Sequence, residues 1–178
     1  NTGFGYYALY NLTRGGSNTA LGNAALYNLT TGSYNAGYGS DVFPTLTTGS
    51  NNTGSGGGAG RSLSTGSDNT MIGLYAGNGV TTGSNNIFLG SNNTTNINVG
   101  TGITTGSYNT IIGSGIRSLS STLSNNIVLA DGQGNIRAQH DGTTGWTLGT
   151  IVSGTWSGTT IGSNVGGAGS VNGLMKAN

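Results

Sequence analysis

The sequence predicts an all-β fold: a parallel β-solenoid, or β-roll, of seventeen-residue coils over residues 1–130, followed by a β-hairpin and stalk region over 131–178. Three observations predict it. One short phrase returns at a fixed interval. The apolar runs inside it are three to five residues long and bounded by Gly, Asn and Ser, the pattern of short strands. Charge is almost absent from a chain with 37 glycines.

The phrase reads TGSYNAGYG at 31–39, TGSDNTMIG at 65–73, TTGSNNIFLG at 81–90 and TGSYNTIIG at 105–113. Its asparagine falls at Asn1, Asn18, Asn35, Asn52, Asn69 and Asn86, each step seventeen residues. The step to Asn109 is six residues longer, with the extra residues within SNNTTNINVGTG at 91–102, and the step to Asn126 is seventeen again. Four residues after each asparagine stands a glycine, from Gly5 to Gly113, with Ala130 closing the set. Eleven residues after come Leu12, Leu29, Leu46, Leu63 and Val80. Agreement of three rulers at so short a period is the signature of a solenoid. Seventeen residues holding several glycines leave no room for paired helices.

Each repeat is expected to form one coil. The first strand is Asn-Thr-x-apolar, ended by Gly. A second strand is expected around Ala25–Leu29, and a thin coil at GSGGGAG (54–60). Thr-Thr-Gly-Ser and the glycine after the first strand make the corners, where Gly adopts unusual backbone angles at little cost. Coils stacked about 4.8 Å apart bring equivalent residues into columns, and eight of them give a rod of roughly 40 Å. Asn18, Asn35, Asn52, Asn69, Asn86, Asn109 and Asn126 are then expected to form a structural ladder of side-chain hydrogen bonds. This explains the missing charge: a stacked ionic residue would face its own kind in every coil.

Adjacent strand residues point to opposite faces. Met71, Phe88, Ile111 and Val128 are followed by Ile72, Leu89, Ile112 and Leu129, so both faces become apolar. A thin coil buries only one of them. The stripe formed by these eight residues is therefore expected to be an interface between copies of the chain. Ile111→Asp or Phe88→Asp is expected to disperse the oligomer.

Phrases of the form TTGSNNT-x-x-G-x-x-A-L resemble the repeats of bacteriophage tail fibres. They are also similar to the left-handed β-roll heads of trimeric autotransporter adhesins. The resemblance covers residues 1–130. The period of seventeen fits the fibres better, because adhesin heads have shorter repeats. The resemblance implies a homotrimer in a virion tail fibre, extracellular, with other tail or fibre proteins as partners and a role in host attachment. A bacterial surface adhesin head with the same fold is the alternative.

IVLADGQGNIRAQH, residues 127–140, reads as two strands around a Gly-rich turn. Beyond it GTWSGTTIG and GGAGSVNGLMKAN look like fibre stalk, which in that family leads on to further stalk and often a self-cleaving chaperone. Asn1 opens in the middle of a phrase and Asn178 resembles a cut, so the chain reads as a piece of something longer.

The remaining residues offer little chemistry. Asp131 and Asp141 precede Gly in turn-like pairs, Asp68 varies with Tyr34 and Tyr108 in a corner, and Asp41 is at another position of the coil. No carboxylate pair of the kind that cleaves glycosides is expected within one chain, which leaves only a site shared between chains, and the chain reads as a non-enzyme. His140 beside Asp141 lacks a second His or any Cys, so no metal and no cofactor is expected. The glycine-rich GSGGGAG lacks the Lys of a phosphate loop. Four Arg and one Lys, scattered, give a net charge of +1, so neither nucleic acid nor membrane insertion is expected. An ice-binding solenoid, suggested by Thr30, Thr47 and Thr81, requires a flat Thr face, whereas these adjoin a Gly corner. Tyr34 and Tyr108, at an exposed corner, are the candidate contacts for a host surface glycan, Tyr10 and Tyr27 are expected to stack, and the 91–102 insertion is expected to bulge outward.

Overall fold

The computed structural model describes residues 1–91, 102–116, 119–143 and 145–148. It is an all-β parallel solenoid, with no helix among these residues. Eight strands lie side by side: β1 (Thr2–Phe4), β2 (Thr19–Leu21), β3 (Ala36–Tyr38), β4 (Thr53–Ser55), β5 (Thr70–Ile72), β6 (Ile87–Leu89), β7 (Thr110–Ile112) and β8 (Ile127–Ala130). All seven pairings among them are parallel, and each places like position on like, as in Ala20 on Gly37 and Met71 on Phe88. Seven steps of about 4.8 Å make the stack roughly 34 Å long. The register survives the long step: Phe88 pairs with Ile111 although the chain between them is longer. The insertion that causes this, residues 92–101, lies outside the described residues, as do the sequence-predicted stalk phrases at 154–162 and 166–178.

The expected second strand at Ala25–Leu29 is corrected by the structure. That stretch is a turn, in which residues at alternate positions adopt left-handed backbone angles. In successive coils these are Tyr7 and Leu9, Ala24 and Leu26, Asp41 and Phe43, Gly58 and Gly60, and Tyr75 and Gly77, with φ between 50° and 66°. Such angles are incompatible with a strand. The turn still spends its backbone groups between coils: Ala24 N–H donates to the Tyr6 carbonyl (2.8 Å), and Leu26 N–H to the Val42 carbonyl (2.9 Å). A coil so narrow must bend tightly, and alternate left-handed residues bend it without leaving peptide groups unpaired.

Gly22 shows what the post-strand corner demands. Its φ is 138°, and a Cβ there would overlap the carbonyl of Gly39 in the next coil. Ala130 replaces this glycine in the last coil, where no further parallel coil follows among the described residues.

The core is one continuous cluster of side chains running through the coils, including Ala20, Leu26, Leu29, Phe43, Leu46, Leu63, Met71, Phe88, Ile111 and Val128, all buried. Its volume is shared between neighbours. The segment 54–60 does not leave the expected thin coil: the Phe43 ring occupies the space where Cβ atoms of Gly54 and Gly60 would sit, and Met71 Sδ reaches the latter as well. Glycines in one coil thus admit large side chains from its neighbours, which preserves close packing.

Past β8 the chain reverses. Strand β9 (Ile136–His140) pairs antiparallel with β8, and β10 (Trp146–Leu148) pairs antiparallel with β9. Asp131 builds the intervening turn. Its Oδ1 accepts from the backbone N–H of Gln133 (2.9 Å) and Asn135 (3.0 Å), and its Oδ2 accepts from Asn135 Nδ2 (3.0 Å) and Arg137 Nη2 (2.6 Å).

Candidate functional site

Two columns of residues and one corner carry the candidate sites. The first column is the asparagine ladder. Asn35 Nδ2 donates to Asn18 Oδ1 (3.1 Å) and to the Gly49 carbonyl (2.9 Å), while Asn35 N–H donates to the same Asn18 Oδ1 (2.9 Å). Asn52 then donates to Asn35 in the same two ways, both at 3.0 Å. Each carboxamide so placed uses both N–H groups and both lone pairs of its oxygen, the full capacity of the group. Asn18, Asn35, Asn52, Asn69 and Asn86 all follow this pattern, and Asn109 and Asn126 continue the column. All seven are buried. A buried carboxylate could not replace one of them, since it has no donor for the acceptors above and below.

The ladder ties each coil to the next, and the sheet beside it has an inner and an outer face. The eight stripe residues divide between them. Met71, Phe88, Ile111 and Val128 are fully buried inside their own coils. They serve the core of a single chain and cannot meet a second one, which corrects their expected place in an interface. The reason is geometric: the middle residue of each three-residue strand points inward. Ile72, Leu89, Ile112 and Leu129 point outward. Leu89 is 43% exposed where Phe88 beside it is 0%. Leu21 and Tyr38 extend this outer column toward the N-terminal end, and exposed Ile87 and Ile127 flank it. The outer face therefore carries an apolar stripe about 30 Å long, broken at Ser55, in which like positions pair in register from coil to coil.

The corner before each ruler asparagine carries Ser17, Tyr34, Asn51, Asp68, Asn85, Tyr108 and Asn125, all in left-handed conformation with φ near 60°. Tyr34 and Tyr108 are 66% and 63% exposed. The structure does not bring them together: Asn51, Asp68 and Asn85 stand between them, with Asn51 Nδ2 donating to Asp68 Oδ1 at 3.1 Å. Each tyrosine is a separate exposed ring.

The other polar candidates are held in local turns. Asp131 is engaged as above, and the Asn135 side chain, together with Arg137, holds its carboxyl below the usual carboxylate range. His140 Nδ1 accepts from Gly142 N–H at 2.9 Å, and its ring meets Trp146 edge-on at 5.2 Å. Asp141 Oδ1 accepts from Thr143 N–H at 2.9 Å. Among the described residues no group of three His, Cys, Asp or Glu is placed to hold a metal ion.

Tyr10 and Tyr27 do stack, with ring centroids 5.5 Å apart and planes within 9°. Sequence reasoning missed that Tyr7 joins them, its ring edge-on to Tyr27 at 5.7 Å. Tyr7 lies three positions from Tyr10, and only a column-by-column reading of the turn would pair them. No protein-family model, curated protein or solved structure matches the chain.

Proposed function

We propose that this chain is a structural segment of a viral tail fibre, in which copies associate through the outer apolar stripe into a rigid homotrimeric rod that carries a host-attachment tip. The observation that carries the reading is the outer column Leu21, Tyr38, Ile72, Leu89, Ile112 and Leu129, every member still more than a third exposed in the single chain. Scattered exposed apolar residues are ordinary, but a line of them such as the unbroken run Ile72, Leu89, Ile112 and Leu129 marks an interaction site. Its strict register supports self-association. Each copy presents the same stripe at the same axial spacing, so copies related by an axis along the rod match residue to residue. The choice of three rests on the resemblance to fibre repeats, as do the virion setting and the partnership with other tail proteins. The role is mechanical. Coil-to-coil hydrogen bonding resists bending, and burial of the stripe fastens the copies.

Light scattering on the 178-residue chain tests the reading. The expected mass is three chains, and Leu89→Asp with Ile112→Asp reduces it to one while the circular dichroism spectrum is retained. A single-chain mass for the unaltered protein, or a mass that these two outward substitutions do not change, removes the proposal. Substitution at Phe88 or Ile111 would disrupt the coil itself and cannot serve.

A further inference from the structure

We infer that a groove along the turn side of the first five coils is a binding site for a linear saccharide. The groove has a volume of about 800 Å³, within the range of ligand sites. Tyr7, Tyr27, Asn28, Asp41, Arg61 and Asn78 line it. They come from successive coils and extend about 19 Å along the axis. None belongs to the outer stripe, so the inference stands apart from the trimer reading.

One end is an aromatic wall. Tyr27 is fixed between Tyr10, stacked behind it, and Tyr7, edge-on to it. A ring so held offers an apolar surface and a hydroxyl together, the amphipathic combination Tyr brings to binding surfaces.

The other end has unused hydrogen-bonding capacity. Arg61 is exposed, and its guanidinium makes no salt bridge with the described residues. Asp41 is only half-buried and accepts from Ser40 Oγ at 3.2 Å. Asn78 Oδ1 is buried with no donor, so no hydrogen bond at that oxygen holds the Asn78 carboxamide in its present orientation. Asn28, in contrast, is already engaged with Asn11 and the Pro44 carbonyl, and it forms a fixed floor. A guanidinium that only donates, a carboxylate that only accepts and an amide that does both match sugar hydroxyls, which donate and accept from the same atom.

The groove disfavours the other polymers. An extended peptide would need free backbone groups to pair with, but the turn's N–H groups are spent between coils, as at Leu26, Asp41, Phe43, Gly58 and Gly60. A nucleic acid would need several cations, and among the described residues Arg61 is the sole cation lining the groove.

Binding of the full chain to an immobilised panel of neutral, N-acetylated and acidic oligosaccharides tests the inference. The expected result is retention of at least one class, with Tyr27→Ala and Arg61→Ala each weakening it tenfold or more. Tyr34→Ala leaves it unchanged, and all three variants keep the wild-type circular dichroism and oligomeric mass. Retention of no class overturns the inference. So does binding that survives Tyr27→Ala and Arg61→Ala, or binding abolished by Tyr34→Ala, which would move the site to the exposed corner.

Discussion

Gln139 Nε2 donates to Asn126 Oδ1 at 2.9 Å. With this bond the asparagine column ends on a residue from outside the repeat. Every earlier member has another asparagine to receive from, whereas Asn126 has none, and its own Nδ2 turns to the Ser124 carbonyl (2.8 Å). The antiparallel strand β9 thus closes the parallel stack and satisfies its last acceptor, as terminal caps do in repeat proteins.

Replacing Gln139 by Leu leaves the buried Asn126 oxygen without a donor. The expected loss is about 1–3 kcal/mol of stability, measured by chemical denaturation. Gln139→Glu should cost at least as much, since it sets an acceptor against an acceptor.

In the middle of the column the cost rises. Asn52→Ala orphans the Gly66 carbonyl and both donors of Asn69, and it removes one of the two bonds to Asn35 Oδ1. At about 1–3 kcal/mol for a buried group left unpaired, the sum is roughly 3–5 kcal/mol. Asn11→Ala, where one half-buried bond to Asn28 is lost, should cost less than about 1 kcal/mol. Equal effects at Asn11 and Asn52 in denaturation would contradict the ladder.

The corner before each asparagine is constrained by its backbone rather than its side chain. Tyr108 has φ 62°. A β-branched residue there crowds the chain, so Tyr108→Val is expected to lower stability by about 1–2 kcal/mol. Tyr108→Gly should be neutral or stabilising, a difference that thermal melts would resolve.

Asp131 makes the β8–β9 turn sensitive to acid. The Asn135 side chain is the largest cause of its depressed pKa, with backbone N–H groups and Arg137 adding to it. A carboxyl that titrates lower in the folded chain than in the unfolded one stabilises the fold above its unfolded pKa. That contribution disappears as the pH falls from there through the folded value. The amide protons of Gln133 and Asn135 should therefore lose protection below about pH 4, and Asp131→Asn should remove that pH dependence.

Much of the fold was legible because the repeat is strict. The seventeen-residue spacing placed Asn on Asn and strand on strand. The inner and outer faces were harder to read. In Met71-Ile72, Phe88-Leu89 and Ile111-Ile112 both residues are large, so hydrophobicity alone cannot orient them. Ala20-Leu21 and Gly37-Tyr38 held the answer: the small residue faces the narrow interior, the large one faces out. The turn was misread as a strand because Ala24, Leu26 and Phe43 carry no sequence mark of a left-handed conformation. The groove was missed because its columns change identity with every coil, from Tyr27 to Pro44, Arg61 and Asn78, so no motif repeats there.

The most direct test of the stacked coils is nuclear magnetic resonance of the asparagine carboxamides in the labelled chain. Stacking predicts a coupling across the hydrogen bond from Asn69 Nδ2 to the Asn52 side-chain carbonyl, with Nδ2 protons that exchange far more slowly than those of exposed Asn51. Absence of that coupling, together with exchange at Asn52 and Asn69 as fast as at Asn51, would contradict it.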